Sequence, residues 1–173
     1  MEGAQQIEKR KGFLICLSGP GCALDQSWGR AFAGVRECLE QLCRVADVVE
    51  LTATSTRAAH SEWSCHGLPP CGALATKKRD GAACLAELLA RGYDRRKTLY
   101  VGCGPRDLAA AQTMGVLFYP ILPGREAACW QELGEEALPK LLHGIFAGPY
   151  QQRLLARHNS LVKQWAESEY EEI

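Results

Sequence analysis

The sequence predicts an α/β protein with a doubly wound, Rossmann-like parallel sheet of five strands, helices on both faces and a C-terminal helical extension. Three observations predict it. Short apolar runs of strand length alternate with longer stretches of helical periodicity. The strongest runs end in turns rich in glycine or in hydroxyl side chains, as at Ser18-Gly19-Pro20-Gly21 and Gly102-Cys103-Gly104. Strands joined by helical crossovers pair in parallel, and such a sheet binds ligands at the carboxyl ends of its strands.

The first strand is Phe13 to Leu17, and the turn Ser18-Gly19-Pro20-Gly21-Cys22-Ala23-Leu24-Asp25 follows it. Phe32, Val35, Leu39, Leu42 and Cys43 recur at helical spacing, which predicts a helix over 28–45. Val48 to Thr52 is a second strand, closed by a Thr/Ser cluster suited to capping a helix over 57–65, with Gly67 as its stop. After the Pro69-Pro70 break, Cys71 to Ala75 is a third, weaker strand. Asp80 caps a helix carrying Ala83, Cys84, Leu88 and Leu89, which ends at Gly92. Thr98 to Gly102 is the clearest strand, and Pro105 suits the first turn of a helix over 106–114. Val116 to Tyr119 is the fifth strand. From Glu126 onward the pattern is helical, with Gly148-Pro149 as a hinge and Leu155, Leu161, Val162 and Trp165 as a packing stripe. A single domain over 1–173 is expected, with its core in 12–124 and a helical extension in 125–173.

Composition narrows the function classes. The 173 residues are 47% hydrophobic and 23% charged, as expected of a globular chain able to bury a core. Twenty basic side chains balance twenty acidic ones, so there is no basic excess to neutralise nucleic-acid phosphates. The apolar run after Lys11 is too short for a signal peptide or a membrane span, which makes the cytoplasm the expected location, with no membrane partner. Nine cysteines are then expected as free thiols, with Cys16, Cys38, Cys43 and Cys84 packing as small apolar groups. His60, Cys65, His66 and Cys71 match no standard zinc spacing.

The topology gathers Ser18 to Cys22, Thr52, Lys77 or Lys78, and Cys103 to Asp107 at one crevice. These four loops, in this order, resemble the four motifs of the haloacid dehalogenase (HAD) superfamily of phosphohydrolases, in a form without a large cap. The resemblance spans Phe13 to Gly124. It implies a catalytic loop at Ser18 to Cys22 and a phosphate-binding hydroxyl at Thr52. It also implies a phosphate-neutralising lysine at Lys77 or Lys78 and magnesium-holding carboxylates in the Cys103 to Asp107 loop.

The chain departs from the family where chemistry is done. Ser18 holds the position of the aspartate nucleophile and Pro20 that of the general acid/base, and proline transfers no proton. Cys103 occupies one acidic metal position and is a soft ligand, while Asp107 remains and Asp25 lies nearby in sequence. The phosphate-holding half keeps Gly19, Gly21 and Cys22 as amide donors, with Thr52, Lys77 and Lys78. The expectation is a catalytically degenerate HAD-like protein that binds a phosphorylated small molecule or a protein partner. It needs no cofactor, magnesium entering only if activity persists. Two alternatives stand beside it. One is an active phosphatase or hydrolase of the same family, using Ser18 or a rebuilt metal site. The other is a thiol redox or soft-metal protein using Cys22 and Cys103, which the fold brings close together.

Overall fold

The structure, a computed structural model, describes residues 7–25, 27, 29–76 and 80–171. Five strands form the parallel sheet: β1 Phe13–Leu17, β4 Ala46–Thr52, β5 Gly72–Ala75, β6 Thr98–Gly102 and β7 Leu117–Pro120. They lie in the order β5-β4-β1-β6-β7. All four pairings are parallel, with Cys16 opposite both Val49 and Tyr100 on the central strand. The expected α/β class and doubly wound sheet are therefore present.

The period of two along the strands sorts the core into two layers. Ile15, Leu17, Leu99, Val101 and Val48 face one layer, covered by α1 Val35–Val45, α2 Thr56–Cys65 and α5 Glu126–Glu132. Leu14, Cys16, Val49, Leu51, Tyr100 and Phe118 face the other, covered by α3 Gly81–Leu89 and α4 Pro105–Met114. On α1 the buried positions are Val35, Cys38, Leu39 and Leu42, a single stripe at helical spacing. Ser55 and Asp80 cap α2 and α3 by accepting from the amides of Ala58 and Ala83.

One expected helix is shortened. The region read as a helix over 28–45 begins with strand, and α1 starts only at Val35. Two short antiparallel strands, β2 Leu24–Asp25 and β3 Arg30–Ala31, form a hairpin ahead of it. Gly34 precedes α1 in the left-handed region at φ 83°, a conformation that ends any helix running through it.

The C-terminal extension shares the core of the sheet. After α5 the chain passes through a π-helical turn, Leu133–Ala137, into α6 Leu138–Leu142, and α7 Pro149–Glu171 follows. Trp130, Leu133 and Leu141 pack in the same layer as Ile15 and Leu17. Helix α7 lies along edge strand β7, with Leu154 in one layer, Leu155 against the other and His158 edge-on to Phe118. This covers an otherwise open sheet edge. The expected stripe extends too far, because Trp165 is 39% exposed. A four-residue strand spans about 13 Å whereas a 23-residue helix spans about 35 Å, so α7 outruns the strand it covers. No described helix is long and apolar enough to cross a membrane.

Candidate functional site

The connections reverse direction between β1 and β6, the place where an open parallel sheet forms its ligand crevice. Ser18 leaves β1 with its amide bonded to the Val101 carbonyl (2.9 Å), which ties the two strand ends together. Gly19 is extended, and Pro20 opens a 3-10 turn over Pro20–Cys22. Within that turn the Cys22 and Ala23 amides bond back to the carbonyls of Gly19 (3.5 Å) and Pro20 (3.0 Å). Of the three amides expected to hold an anion, that of Cys22 is thus engaged locally. Cys22, Ala23 and Leu24 are buried, while Gly21 is exposed. Trp130, fully buried on α5, donates its indole N–H to the Cys22 carbonyl at 2.6 Å.

The loop after β6 is held from within. The Ile121 amide bonds to the Gly102 carbonyl at 2.7 Å, and Gly104 and Pro105 start α4. Asp107 Oδ2 accepts from the Cys103 amide (3.0 Å), and Oδ1 accepts from the Tyr100 hydroxyl (3.4 Å). The carboxylate lies against the backbone of Gly102, where an added Cβ would fall 2.4 Å from the Asp107 Cβ. Only glycine fits under that side chain.

Between these loops the Cys22 and Cys103 thiols shift each other's titration in opposite directions. Ser18 Oγ lies 3.4 Å from the Cys22 sulfur. Interaction with Cys103, with burial second, holds the Cys22 thiol well above its ordinary pKa. The same interaction lowers that of Cys103.

Thr52 ends β4 and is buried. Its hydroxyl accepts from the Thr54 amide (3.2 Å) and shares a 2.9 Å bond with the Thr54 hydroxyl, so it is committed locally. Thr76 prolongs β5 by donating its amide and its hydroxyl to the Thr52 carbonyl, at 2.7 and 3.1 Å. Lys77 and Lys78 lie outside the described residues. The residues flanking them, Thr76 and Asp80, line a cleft of about 610 Å³ together with Ser18, Tyr100, Arg106 and Asp107. A smaller hollow of about 370 Å³ opens at the opposite ends of the strands. Its Asp47 already accepts from the Arg10 and Lys11 amides and from the Tyr93 hydroxyl.

The residues present do not suit the magnesium that the resemblance implies. Magnesium requires octahedral oxygen ligation, usually with one or two carboxylates. At this edge Asp107 already accepts two hydrogen bonds and Cys103 offers a soft sulfur. Asp25 Oδ1 accepts from the Ser27 amide within the hairpin turn at 2.9 Å. Among the described residues, no group of three or more His, Cys, Asp or Glu side chains could hold a metal ion.

Several residues of this edge escape sequence reading. Tyr100, Thr76 and Arg106 join the cleft only through packing, and Trp130 reaches Cys22 across 108 residues of chain. Glu50 did leave a signal, a lone acid inside the apolar run Val48-Val49-Glu50-Leu51. It is 1% exposed on β4, and both its carboxylate oxygens lack a hydrogen-bond partner among the described residues. Burial, with Glu62 adding to it, pushes its pKa up to about 7, and the nearby Trp63 indole opposes this without completing a hydrogen bond. No protein-family model matches the chain, and no curated protein matches it.

Proposed function

We propose that this chain is a catalytically degenerate protein of HAD-like lineage whose cleft binds a phosphate-bearing small molecule without turning it over. The observation that carries this reading is the make-up of the crevice at the switch point. Ser18 and Pro20 stand at the end of β1, where the family's mechanism needs two aspartates, and a cleft of about 610 Å³ remains beside them. Arg106 and Ser18 line it, and a guanidinium and a hydroxyl are groups that donate to an anion. Lys77 and Lys78, in the link between Thr76 and Asp80, supply further positive charge.

The same composition argues against hydrolysis. A serine nucleophile needs a neighbouring base, and the polar partner of Ser18 is the Cys22 thiol, held protonated by its surroundings. With three family carboxylates replaced, at Ser18, Pro20 and Cys103, a bare anion meets less repulsion and needs no magnesium to screen it.

The test is a thermal-shift titration with inorganic phosphate, paired with an assay of p-nitrophenyl phosphate hydrolysis with and without magnesium. Phosphate is expected to raise Tm without turnover, and Lys77→Ala with Lys78→Ala is expected to abolish the shift. Magnesium-dependent hydrolysis lost in Asp107→Asn would overturn the reading in favour of an active hydrolase. A Tm unmoved by phosphate would also overturn it.

A further inference from the structure

We propose that the N-terminal end of the sheet is a docking face for an acidic segment of a partner polypeptide. It carries two cationic triplets, Lys9-Arg10-Lys11 ahead of β1 and Arg95-Arg96-Lys97 ahead of β6. The inference stands apart from phosphate binding, because the cleft lies at the opposite ends of the strands.

The parallel sheet brings the triplets together. Strands β1 and β6 are neighbours with Leu14 opposite Thr98, so both triplets enter the sheet side by side. Paired strands lie about 4.8 Å apart. Lys97 spans that gap, its ammonium 5.5 Å from the centre of the Phe13 ring on β1.

The cations are held in place but not neutralised. Lys9 donates to the Gly92 carbonyl at 2.8 Å and lies over the Tyr93 ring, 5.7 Å from its centre. Lys11 donates to the Cys43 carbonyl and Arg95 to the Met114 carbonyl. These partners are neutral, so they order the side chains without cancelling their charge. Among the described residues, Lys9, Arg10, Lys11, Arg95 and Lys97 form no ion pair, and Arg96 reaches Asp94 only at 3.9 Å. Acidic and basic residues balance over the whole chain, so this face is a local excess. Cations that are already ordered lose less side-chain entropy on docking.

The neighbourhood selects a polypeptide over other polyanions. Glu8 and Asp94 are exposed beside the triplets. Against a nucleic-acid backbone or an anionic bilayer, each of a single sign, they would meet repulsion. A polypeptide can set carboxylates against the triplets and amide donors against these two acids. Tyr93 is buried and Phe13 lies under Lys97, so neither ring offers a platform for stacking bases. The hollow of about 370 Å³ adjoins the face, with Arg10 and Lys11 in its lining. Ile7, Val48 and Pro70 line it too, which suits it to an apolar side chain of the same segment.

The experiment follows the fluorescence anisotropy of a labelled peptide of Glu-Glu-Leu repeats mixed with the full-length protein at low salt. Saturable binding is expected, weakened at least about tenfold by Arg10→Glu with Arg96→Glu, one reversal in each triplet. Both of these residues are exposed. An equal charge change elsewhere, Arg36→Glu on α1 with Lys163→Glu on α7, is expected to leave binding unchanged. A peptide with serine in place of leucine is expected to bind several-fold more weakly, because the hollow stays unfilled. In the wild-type protein the Glu-Glu-Leu peptide should protect Lys9 and Lys97, but not Lys163, from brief acetylation. That footprint locates the site even where a variant folds poorly. Single-stranded RNA and phosphatidylserine vesicles, run in parallel, are expected to bind more weakly than the peptide. No peptide binding, equal loss in both double variants, equal binding of the serine peptide, or no protection of Lys9 and Lys97 overturns the proposal. Tighter binding of RNA or vesicles overturns it as well.

Discussion

The loops after β1 and β6 leave neighbouring strands at the same edge of the sheet, yet they are held by opposite means. The β1 loop is anchored from outside. Cys22, Ala23 and Leu24 are sunk into the core, and Trp130 from the C-terminal extension clamps the Cys22 carbonyl. The β6 loop is anchored by its own sequence, with Asp107 bonded to the Cys103 amide four residues back and pressed onto Gly102. The difference teaches how one edge acquires unequal thiols. The externally clamped loop buries its cysteine, and the self-contained loop leaves its cysteine half open to solvent.

Removing the outside clamp has the largest expected effect. Trp130→Ala deletes a fully buried indole, and a loss of about 3–5 kcal/mol in urea unfolding is expected. Trp130→Phe keeps most of the ring volume but leaves the Cys22 carbonyl unpaired, with an expected cost of about 1–2 kcal/mol. If neither variant loses stability, the β1 loop does not depend on the extension and the contrast between the loops collapses.

The inner anchor is tested by Gly102→Ala. Its Cβ would fall 2.4 Å from that of Asp107, so strain of about 1–3 kcal/mol is expected. Asp107 is then displaced, and hydrogen exchange at the Cys103 amide should speed up while exchange in the Cys22 turn stays unchanged. Equal acceleration in both loops would show that they open as one unit.

Glu50 tests the layer beneath the β1 loop, where it pairs in register with Leu17. Folding lifts its pKa from the ordinary 4.5 to about 7, so the unfolded chain ionises first as pH rises. Its contribution is most favourable below about pH 4.5, declines between there and about pH 7, and is constant above. Glu50→Gln lacks this decline and is expected to be more stable than wild type at pH 8 by about 1–2 kcal/mol, with the gap closing toward pH 4.5. Melting curves across that range check it, and a pH-independent gap would contradict the sign.

The smallest expected effect is chemical. The Asp107 charge raises the Cys103 pKa, so Asp107→Asn should speed Cys103 alkylation at pH 7, by less than about tenfold. Cys22, shielded in the core, should not respond.

Much of the architecture was legible in the chain because it depends on local rules. Phe13–Leu17 and Thr98–Gly102 are strands with the expected bounds, since uninterrupted apolar runs closed by glycine turns leave few other solutions. Ser55 and Asp80 cap the helices they precede through bonds three residues long. The stretch 28–45 misled because helical spacing at Phe32 and Val35 continued across Gly34, whose left-handed backbone no spacing argument reveals. Trp165 misled because the length of β7, rather than the periodicity of α7, limits how much of that helix is buried.

For the candidate site the division is sharper. The sequence by itself determined which groups stand at the strand ends, Ser18 and Pro20 after β1 and Cys103 after β6. It also determined that the strands pair in parallel, because strands joined by helical crossovers run in one direction. Only the tertiary structure decided that Thr52 turns its hydroxyl to Thr54, that Trp130 holds the Cys22 loop, and that Cys22 is buried while Cys103 stays half open. Those contacts join residues remote in sequence or turn on side-chain direction. Their energies come from burial and hydrogen-bond geometry, which exist only once the layers have packed.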